Sequence, residues 1–308
     1  MPIHLLQVPY DSGHRARRMG SGPVHLIENG ALSRLRGIDP DTRLVLVETT
    51  AAFPTEIGTA FELHRAVSEA VAAATQGGAL PLVLSGNCNS AVGTVSGLQT
   101  THPEKPVGVV WFDGHGDCNT PDTFTGNFLD AMGLSTLTGR CWQALCATIP
   151  GFRALPDESV ILVGAHGADR NALGILTASG MAHVQVAEVI ARGGAAALGP
   201  ALDAMARRGV GRVYVHLDVD VLDAAWAPAN EFAPEGGLLP DQLAACVEQI
   251  TERFTVAAAA VASYDPAYDR EDRVLGTALD FLEQVASSCG PGVPDPPRKA
   301  GFRTRSME

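Results

Sequence analysis

Short apolar runs alternate along the chain with longer segments in which apolar and polar residues recur at helical spacing. Several of the short runs are apolar throughout, which is typical of strands buried on both faces of a parallel sheet. The predicted strands are Ile3–Val8, Arg43–Val47, Leu80–Leu84, Val107–Phe112, Ser159–Val163, Ala182–Val186, Arg212–Leu217 and Thr255–Val261. The predicted helices are Glu62–Ala74, Ser90–Leu98, Asn171–Ser179, Ala196–Arg208, Pro240–Arg253 and Arg270–Val285.

The repeated alternation of strand and helix predicts a three-layer α/β/α sandwich with a mainly parallel sheet. We expect residues 1–288 to form this single domain. Residues 289–308 are rich in proline, glycine and charge, so we expect them to be disordered or to contact another subunit. In sheets of this kind, ligands bind beyond the carboxyl ends of the strands, and a functional site is expected there.

Composition and charge narrow the class of protein. Hydrophobic residues are 46% of the 308 and charged residues 18%, which is enough apolar material for a packed core. The net charge of −12 argues against nucleic acid or an anionic membrane as the partner. The six cysteines stand singly, without a Cys-x-x-Cys pair, as free thiols in a reducing compartment do. With neither a signal peptide nor a membrane-length apolar run, the sequence indicates a soluble, cytoplasmic protein.

Residue types that bind metal ions follow two of the predicted strands. They are Asp113, His115 and Asp117 after one strand, and Asp218 and Asp220 after another. On extended backbone, alternate side chains point the same way, so each set is expected to project from one side of its strand. A third polar segment, Ser85-Gly-Asn-Cys-Asn-Ser90, follows another apolar strand and opens a helix.

Charge favours a metal site at these strand ends. Carboxylates that converge on one site repel one another and lose solvation, so they need a compensating cation. Oxygen-rich ligand sets with some imidazole suit divalent ions such as Mn²⁺, and a pair of ions can lower the pKa of a water molecule between them. A single Asp-x-Asp is more often a turn or a helix cap, but two such clusters at separate strand ends favour the metal interpretation.

The same segments resemble the signatures of a known family. Trp111-Phe-Asp-Gly-His-Gly-Asp-Cys-Asn-Thr-Pro121 resembles the W-x-D-A-H-x-D-x-N-T-P motif of the arginase/agmatinase (ureohydrolase) family. His216-Leu-Asp-Val-Asp-Val-Leu-Asp223 resembles its S-x-D-x-D-x-x-D-P segment, and Leu82-Val-Leu-Ser-Gly-Asn-Cys88 resembles its G-G-D-H region. The resemblance implies an arginase-like fold, a binuclear Mn²⁺ centre, a small-molecule substrate, and a homo-oligomer, either a trimer or a hexamer.

The resemblance also implies roles for individual residues. The implied metal ligands are Cys88, Asp113, His115, Asp117, Asp218 and Asp220. The implied reaction is hydrolysis of a carbon–nitrogen bond of a linear amidine or guanidine by a hydroxide between the ions, and the candidate catalytic residues are Asp117 and Asp130. The candidate substrate-binding residues are Asn119, Asn127, Asp169, Ser263 and Asp265.

Two departures from the family pattern affect the metal centre. Cys88 replaces a metal-binding histidine, as it does in relatives that cleave hydroxyarginine. Its thiolate is a softer ligand that would weaken Mn²⁺ binding or change the choice of metal, whereas the alternative is a small buried residue beside a one-metal site. Asp130 replaces a loop histidine proposed to shuttle protons. With a raised pKa it could do the same, but the sequence favours an exposed loop aspartate.

Two further departures affect the substrate. Ser263 stands where arginases carry a guanidinium-binding glutamate, and Ala172 replaces a glutamate of the amino-acid subsite. Loss of a charge-assisted hydrogen bond would weaken binding of a cationic guanidinium, unless Asp265 takes its place after a local shift. Arg18 and its neighbouring arginines are expected to be solvated, and His216 is expected to support the metal ligands rather than to join them.

The leading hypothesis is therefore a manganese-dependent amidinohydrolase that acts on N-hydroxyarginine or another specialised guanidino compound rather than on arginine. One alternative is a catalytically silent relative that serves as a binding or regulatory subunit. Another is an amide or formimino hydrolase built on the same metal cluster.

Overall fold

The computed structural model of the protein describes residues 1–50, 55–124, 126 and 128–289. The strands are β1 (Ile3–Val8), β2 (Tyr10–Asp11), β3 (His14–Arg15), β4 (Arg43–Leu46), β5 (Leu80–Ser85), β6 (Val107–Asp113), β7 (Val160–Gly164), β8 (Ala182–Gln185), β9 (Arg212–Asp218) and β10 (Thr255–Ala262). The helices are α1 (Gly22–Glu28), α2 (Ala31–Ile38), α3 (Glu56–Gln76), α4 (Ala91–Thr101), α5 (Gly133–Leu137), α6 (Gln143–Cys146), α7 (Arg170–Ala178), α8 (Val186–Arg207), α9 (Pro240–Arg253) and α10 (Arg273–Ser288). Short 3-10 turns lie at Arg18–Ser21, Cys88–Ser90, Leu129–Met132, Asp157–Ser159 and Val219–Val221.

Eight strands form one sheet in the order β4-β1-β5-β10-β9-β6-β7-β8, and every neighbouring pair in it is parallel. Strands β2 and β3 form a separate antiparallel hairpin. One apolar cluster joins the sheet to α1, α2, α8, α9 and α10, and a second joins the other face to α3 through α7. The predicted three-layer α/β/α sandwich with a parallel sheet is confirmed.

The eight predicted strands all lie in this sheet, and all six predicted helices are present, α9 at its predicted bounds and the other five with shifted boundaries. Helix α3 begins at Glu56 rather than Glu62, because the Thr55 hydroxyl caps its first turn by accepting the Gly58 amide. Helix α8 begins at Val186 and continues past a kink at Gly193, whose φ is +76°. Helices α1, α2, α5 and α6 were not predicted.

The strand order brings distant parts of the chain together at one edge of the sheet. Strand β10 lies between β5 and β9, and Ala262 at its end is paired with both Ser85 and Asp218. Strand β6 lies on the other side of β9 and ends at Asp113. The polar segments that follow β5, β6, β9 and β10 therefore meet beyond the carboxyl ends of four adjacent strands.

None of the helices in the described part of the chain is both long enough and apolar enough to cross a membrane. The terminal segment expected to be disordered or to contact a subunit lies outside the described residues, except for Cys289.

Candidate metal centre

Potential metal ligands converge in three overlapping groups, within each of which the ligand atoms lie within 4.8 Å of one another. The groups are Cys88, Asp113 and Asp218; Cys88, Asp117 and Asp130; and Asp113, His115 and Asp220. All of these side chains are buried except that of His115, which is 35% exposed. The six residues implied by the resemblance thus lie together with Asp130.

The side chains reach the cluster by tight turns rather than by extended backbone. Strand β6 ends at Asp113, and Gly116 and Asp117 have φ values of +101° and +47°. A Cβ atom at Gly114 would lie 2.7 Å from the Asp220 carbonyl oxygen, so the close approach of the two loops requires glycine there. The prediction that Asp113, His115 and Asp117 alternate on extended backbone is therefore wrong, although these residues do converge.

The segment after β9 also departs from extended backbone. Val219–Val221 forms a 3-10 turn, and the Asp218 carboxylate accepts a 2.9 Å hydrogen bond from the amide of Asp220. This turn, and not the alternation of an extended strand, places the two carboxylates side by side. The explanation by strand parity is wrong for this pair as well.

Hydrogen bonds from the protein orient two of the carboxylates. The Trp111 indole N–H donates to Asp113 at 2.8 Å, and the His115 amide donates to its other oxygen at 2.6 Å. The Gly114 amide donates to Asp220 at 2.9 Å, and His115 Nδ1 lies 3.1 Å from the second Asp220 oxygen. Because these carboxylates are fixed from several sides, the site is preorganised.

The protonation of the cluster shows how much negative charge it holds. Burial, together with repulsion from neighbouring carboxylates, raises the pKa values of Asp113, Asp117 and Asp218. Burial lowers the pKa of His115, but the negative charges of Asp220 and Asp113 have the larger combined effect and raise it to about 9. Buried carboxylates that repel one another in this way are relieved by cations, and their oxygen, imidazole and sulfur donors fit divalent metal ions.

Cys88 lies at the junction of two of the groups. Its thiol donates to Asp218 Oδ2 at 2.8 Å, and its sulfur is 3.2 Å from the Ser263 hydroxyl. Burial and then the charge of Asp218 raise the pKa of the Cys88 thiol well above its ordinary value. Without a cation, Cys88 is therefore a neutral hydrogen-bond donor, and its role as a metal ligand stays a prediction.

Asp130 differs from what the sequence favoured. It is only 5% exposed, and its carboxylate accepts hydrogen bonds from the Asn89 amide at 2.8 Å and from Asn87 Nδ2 at 3.0 Å. Burial, partly offset by these hydrogen bonds, raises the pKa of Asp130 to about 7. The interpretation as an exposed loop aspartate is wrong. The apolar residues Leu129 and Met132, which flank it and are buried, were the available signal.

His216 lies beneath the cluster on β9. Its ring stacks on Trp111 with centroids 3.7 Å apart, and its Nδ1 is 2.7 Å from the Tyr214 hydroxyl. Complete burial lowers the pKa of His216 to about 3, so the ring is neutral. In the part of the chain that the structure describes, it belongs to none of the potential ligand groups, and it contacts the indole that orients Asp113.

A cavity of about 510 Å³ opens above the cluster. Its polar base is formed by His115, Asp117, Asp130, Asp218 and Asp220. The rest of the lining includes Arg18, Met19, Phe124, Phe128, Ala131, Ala172 and Phe232. Arg18 was expected to be solvated, but it lines the cavity with its side chain 48% exposed.

The predicted substrate-binding residues divide into three sets. Asn119, Asp169 and Ser263 line the cavity. Asp265 does not, because its carboxylate accepts the Ala267 amide at 3.0 Å, so the expectation that it replaces the missing glutamate is not supported. Asn127 lies outside the described residues. Sequence reasoning missed the lining phenylalanines and Asn230, which follow no strand of the sheet directly.

Comparison with known proteins shows one consistent relationship. The model of the arginase family matches residues 1–287. An arginase from Bacillus caldovelox is 29% identical over 299 residues, covering 91% of this chain and 96% of the relative. An arginase from Eremothecium gossypii is 28% identical over 305 residues, covering 92% of this chain and 73% of the relative.

Solved structures show the same fold. The crystal structure of arginase from Bacillus cereus has a TM-score of 0.83 at 22% identity, covering 96% of this chain and 100% of that one. Formimidoylglutamase from Bacillus subtilis has a TM-score of 0.71 at 15% identity, covering 93% of this chain and 86% of that one. With the fold, the strand-end clusters and the match along residues 1–287 in agreement, this chain belongs to the arginase family.

Proposed function

We propose that this protein is a metal-dependent hydrolase that cleaves a carbon–nitrogen bond of a linear amidine or guanidine. The observation that carries the proposal is the convergence of buried carboxylates with His115 and Cys88 at the base of an open cavity. Donors of this kind beneath a cavity of substrate size are suited to holding divalent cations beside a bound small molecule.

The proposed ligands are Cys88, Asp113, His115, Asp117, Asp218 and Asp220, and we propose a pair of Mn²⁺ ions as their natural partners. When bound, divalent ions supply positive charge that lowers the pKa of water and polarises the substrate. The hydrogen bonds from Trp111 and Gly114 keep Asp113 and Asp220 oriented whether or not a cation is bound.

We assign proton transfer to Asp130. Asp130 lines the cavity, and one of its carboxylate oxygens lies within 4.8 Å of a carboxylate oxygen of Asp117. Burial raises the pKa of Asp130 to about 7. A carboxyl group with that pKa can hold a proton on its oxygen at neutral pH and donate it to the departing nitrogen. Asp130 would thereby take the part that the resemblance gives to a loop histidine.

The substrate is proposed to be less cationic than arginine at its reacting end. Ser263 lines the cavity where the resemblance places a glutamate, whereas Asp265 does not line it and accepts the Ala267 amide instead. A hydroxyguanidine, or the formimino group suggested by the formimidoylglutamase neighbour, depends less than a guanidinium does on a charge-assisted hydrogen bond to a carboxylate.

The test combines metal analysis with turnover. Purified protein is loaded with Mn²⁺, its metal content is measured, and it is assayed on arginine, N-hydroxyarginine, agmatine, guanidinobutyrate and formiminoglutamate. We expect turnover on at least one compound, and loss of both turnover and metal in Asp220→Asn. The control is Asp203→Asn, an acid on the surface of α8 that is 59% exposed. Full metal content without turnover of any compound would instead favour a catalytically silent binding subunit.

A further inference from the structure

We propose that the substrate carries an aromatic or similarly flat apolar group at the end away from the scissile bond. This group would occupy the mouth of the cavity, where the resemblance to arginases predicts an amino-acid end. The inference rests on the proposed function for the identity of the reacting end. The proposal for the other end of the substrate rests on the side chains that line the cavity.

The wall of the cavity contains three phenylalanines, one of which is exposed to solvent. Phe124, Phe128 and Phe232 all line the cavity, and the rings of Phe128 and Phe232 have centroids 5.3 Å apart at an angle of 37°. Phe232 is 42% exposed, so part of its ring is accessible to a ligand. Aromatic rings at such spacing form favourable tilted contacts, and a third ring can join them.

Arg18 strengthens the preference for a flat group. Its guanidinium carbon lies 5.7 Å from the centre of the Phe232 ring. The guanidinium is also held by Glu231 at 2.5 Å and by Asp11 at 3.4 Å, so its charge is already paired. Because its charge is paired, the planar Arg18 guanidinium is better placed to stack on an aromatic ring of the substrate than to bind a substrate carboxylate.

The polar side chains along the wall are engaged within the protein. Asn119 donates to Asp169 at 2.7 Å and accepts from the Thr123 hydroxyl at 3.0 Å. Asp169 also accepts the amides of Asn171 and Ala172 at the start of α7. Both polar ends of Asn119 and both oxygens of Asp169 therefore already bond within the protein, and an amino-acid substrate would have to share these groups.

Asn230 is engaged in the same way. Its Nδ2 donates to the Ser263 carbonyl at 2.8 Å, and its Oδ1 accepts the Phe232 amide at 2.8 Å. The second bond fixes the backbone of Phe232 at the mouth. Among the described lining residues, the apolar side chains are therefore the free surface there, and the cavity of about 510 Å³ has room for a ring beyond the reacting group.

The experiment compares two probes that share a guanidine head and differ at the other end. 3-Phenylpropylguanidine carries a ring, and 4-guanidinobutyrate carries a carboxylate. Binding to the Mn²⁺-loaded protein is measured by calorimetry, and turnover is measured in parallel. We expect the phenyl compound to bind at least about 10-fold more tightly, as burial of a ring predicts.

Three variants identify the ring that makes the contact. Phe232→Ala is expected to weaken binding of the phenyl compound about 10-fold and to leave that of 4-guanidinobutyrate within about twofold. Phe232→Tyr should restore the binding. The matched control is Tyr268→Ala, which removes a ring that is 40% exposed and lies away from this cavity. That variant should change neither affinity.

The outcomes separate this inference from the proposed function. Tight, Phe232-dependent binding of the phenyl compound without hydrolysis would refute the proposed reaction and leave the inference standing. Turnover of guanidine substrates with equal affinity for both probes would overturn the inference and leave the reaction standing. Absence of binding by the phenyl compound, or binding that Phe232→Ala does not change, also overturns the inference.

Discussion

Replacing Asp130 by asparagine should make the metal-free protein more stable at alkaline pH. The side chain is 5% exposed and packs beside Asp117 and Cys88. Burial raises the pKa of Asp130 from 3.8 to about 7, so the folded protein holds this proton more tightly than the unfolded chain does. The stabilisation due to the protonated carboxyl is thus complete below about pH 4 and is lost as the pH rises through 7.

The size of the effect follows from that difference. About three pH units between the two pKa values, at about 1.4 kcal/mol each, correspond to about 4 kcal/mol that the ionised carboxylate costs at pH 8. Asparagine removes the charge but keeps only one acceptor. One of the hydrogen bonds from Asn87 and Asn89 is then lost, at about 1 kcal/mol. Part of the proton binding belongs to the neighbouring acids rather than to Asp130 alone. We therefore expect the substitution to raise the free energy of unfolding by about 1–3 kcal/mol.

Urea unfolding of Asp130→Asn and the unaltered protein, both with EDTA, measures this difference at pH 5 and pH 8. The gain should be largest at pH 8 and should shrink at pH 5, where the folded protein keeps most of this proton. Asp169→Asn is the matched control. Burial raises the pKa of Asp169, but hydrogen bonds from Ala172 and Asn119 to its carboxylate outweigh burial and lower the pKa overall. The Asp169→Asn variant should therefore lose about 1 kcal/mol of unfolding free energy at pH 8. The reasoning is refuted if Asp130→Asn is no more stable than the unaltered protein at pH 8.

Three other predictions concern the metal centre and its support. Mn²⁺ at 100 times its dissociation constant should stabilise the protein by about 2.7 kcal/mol in thermal unfolding, and Asp220→Asn should abolish that gain. Cys88→His should raise Mn²⁺ affinity in a calorimetric titration, because imidazole suits Mn²⁺ better than a thiol does; unchanged or weaker binding would contradict this. Gly164→Ala should cost more than about 2 kcal/mol in urea unfolding, since φ is +116° and the added Cβ would collide with the Asp113 carbonyl oxygen.

The sheet was predictable because its strands are apolar throughout. In Val107–Asp113 and Arg212–Asp218, every residue is buried, which is the pattern of a parallel strand covered on both faces. Helices α1 and α2 were missed because they span only 7 and 8 residues and are separated by a turn in which Gly30 has a φ of +107°. Such short segments contain only about two turns, and they are stabilised by packing on the rest of the fold.

The site was predictable in its residues but not in its geometry. Metal-ligand residue types at the ends of apolar strands indicated which residues meet, because parallel strands present their carboxyl ends at one edge. The flanking apolar residues Leu129 and Met132 were a local signal that Asp130 is buried, but no local pattern shows its contacts with Asn87 and Asn89, which are 43 and 41 residues away. The aromatic mouth likewise depends on the approach of Phe128 to Phe232 across the cavity.

Cys88 links the metal centre to the substrate cavity. As a neutral thiol it donates to Asp218, and its sulfur contacts the Ser263 hydroxyl. If Cys88 becomes a metal ligand, it releases its proton, and Asp218 loses a hydrogen bond as it gains a cation. Ser263 is then free to donate to the sulfur or to turn toward the substrate in the cavity it lines. The two departures that the resemblance implies, Cys88 in place of a histidine and Ser263 in place of a glutamate, would thus be physically coupled, because the two side chains contact each other at the base of the site.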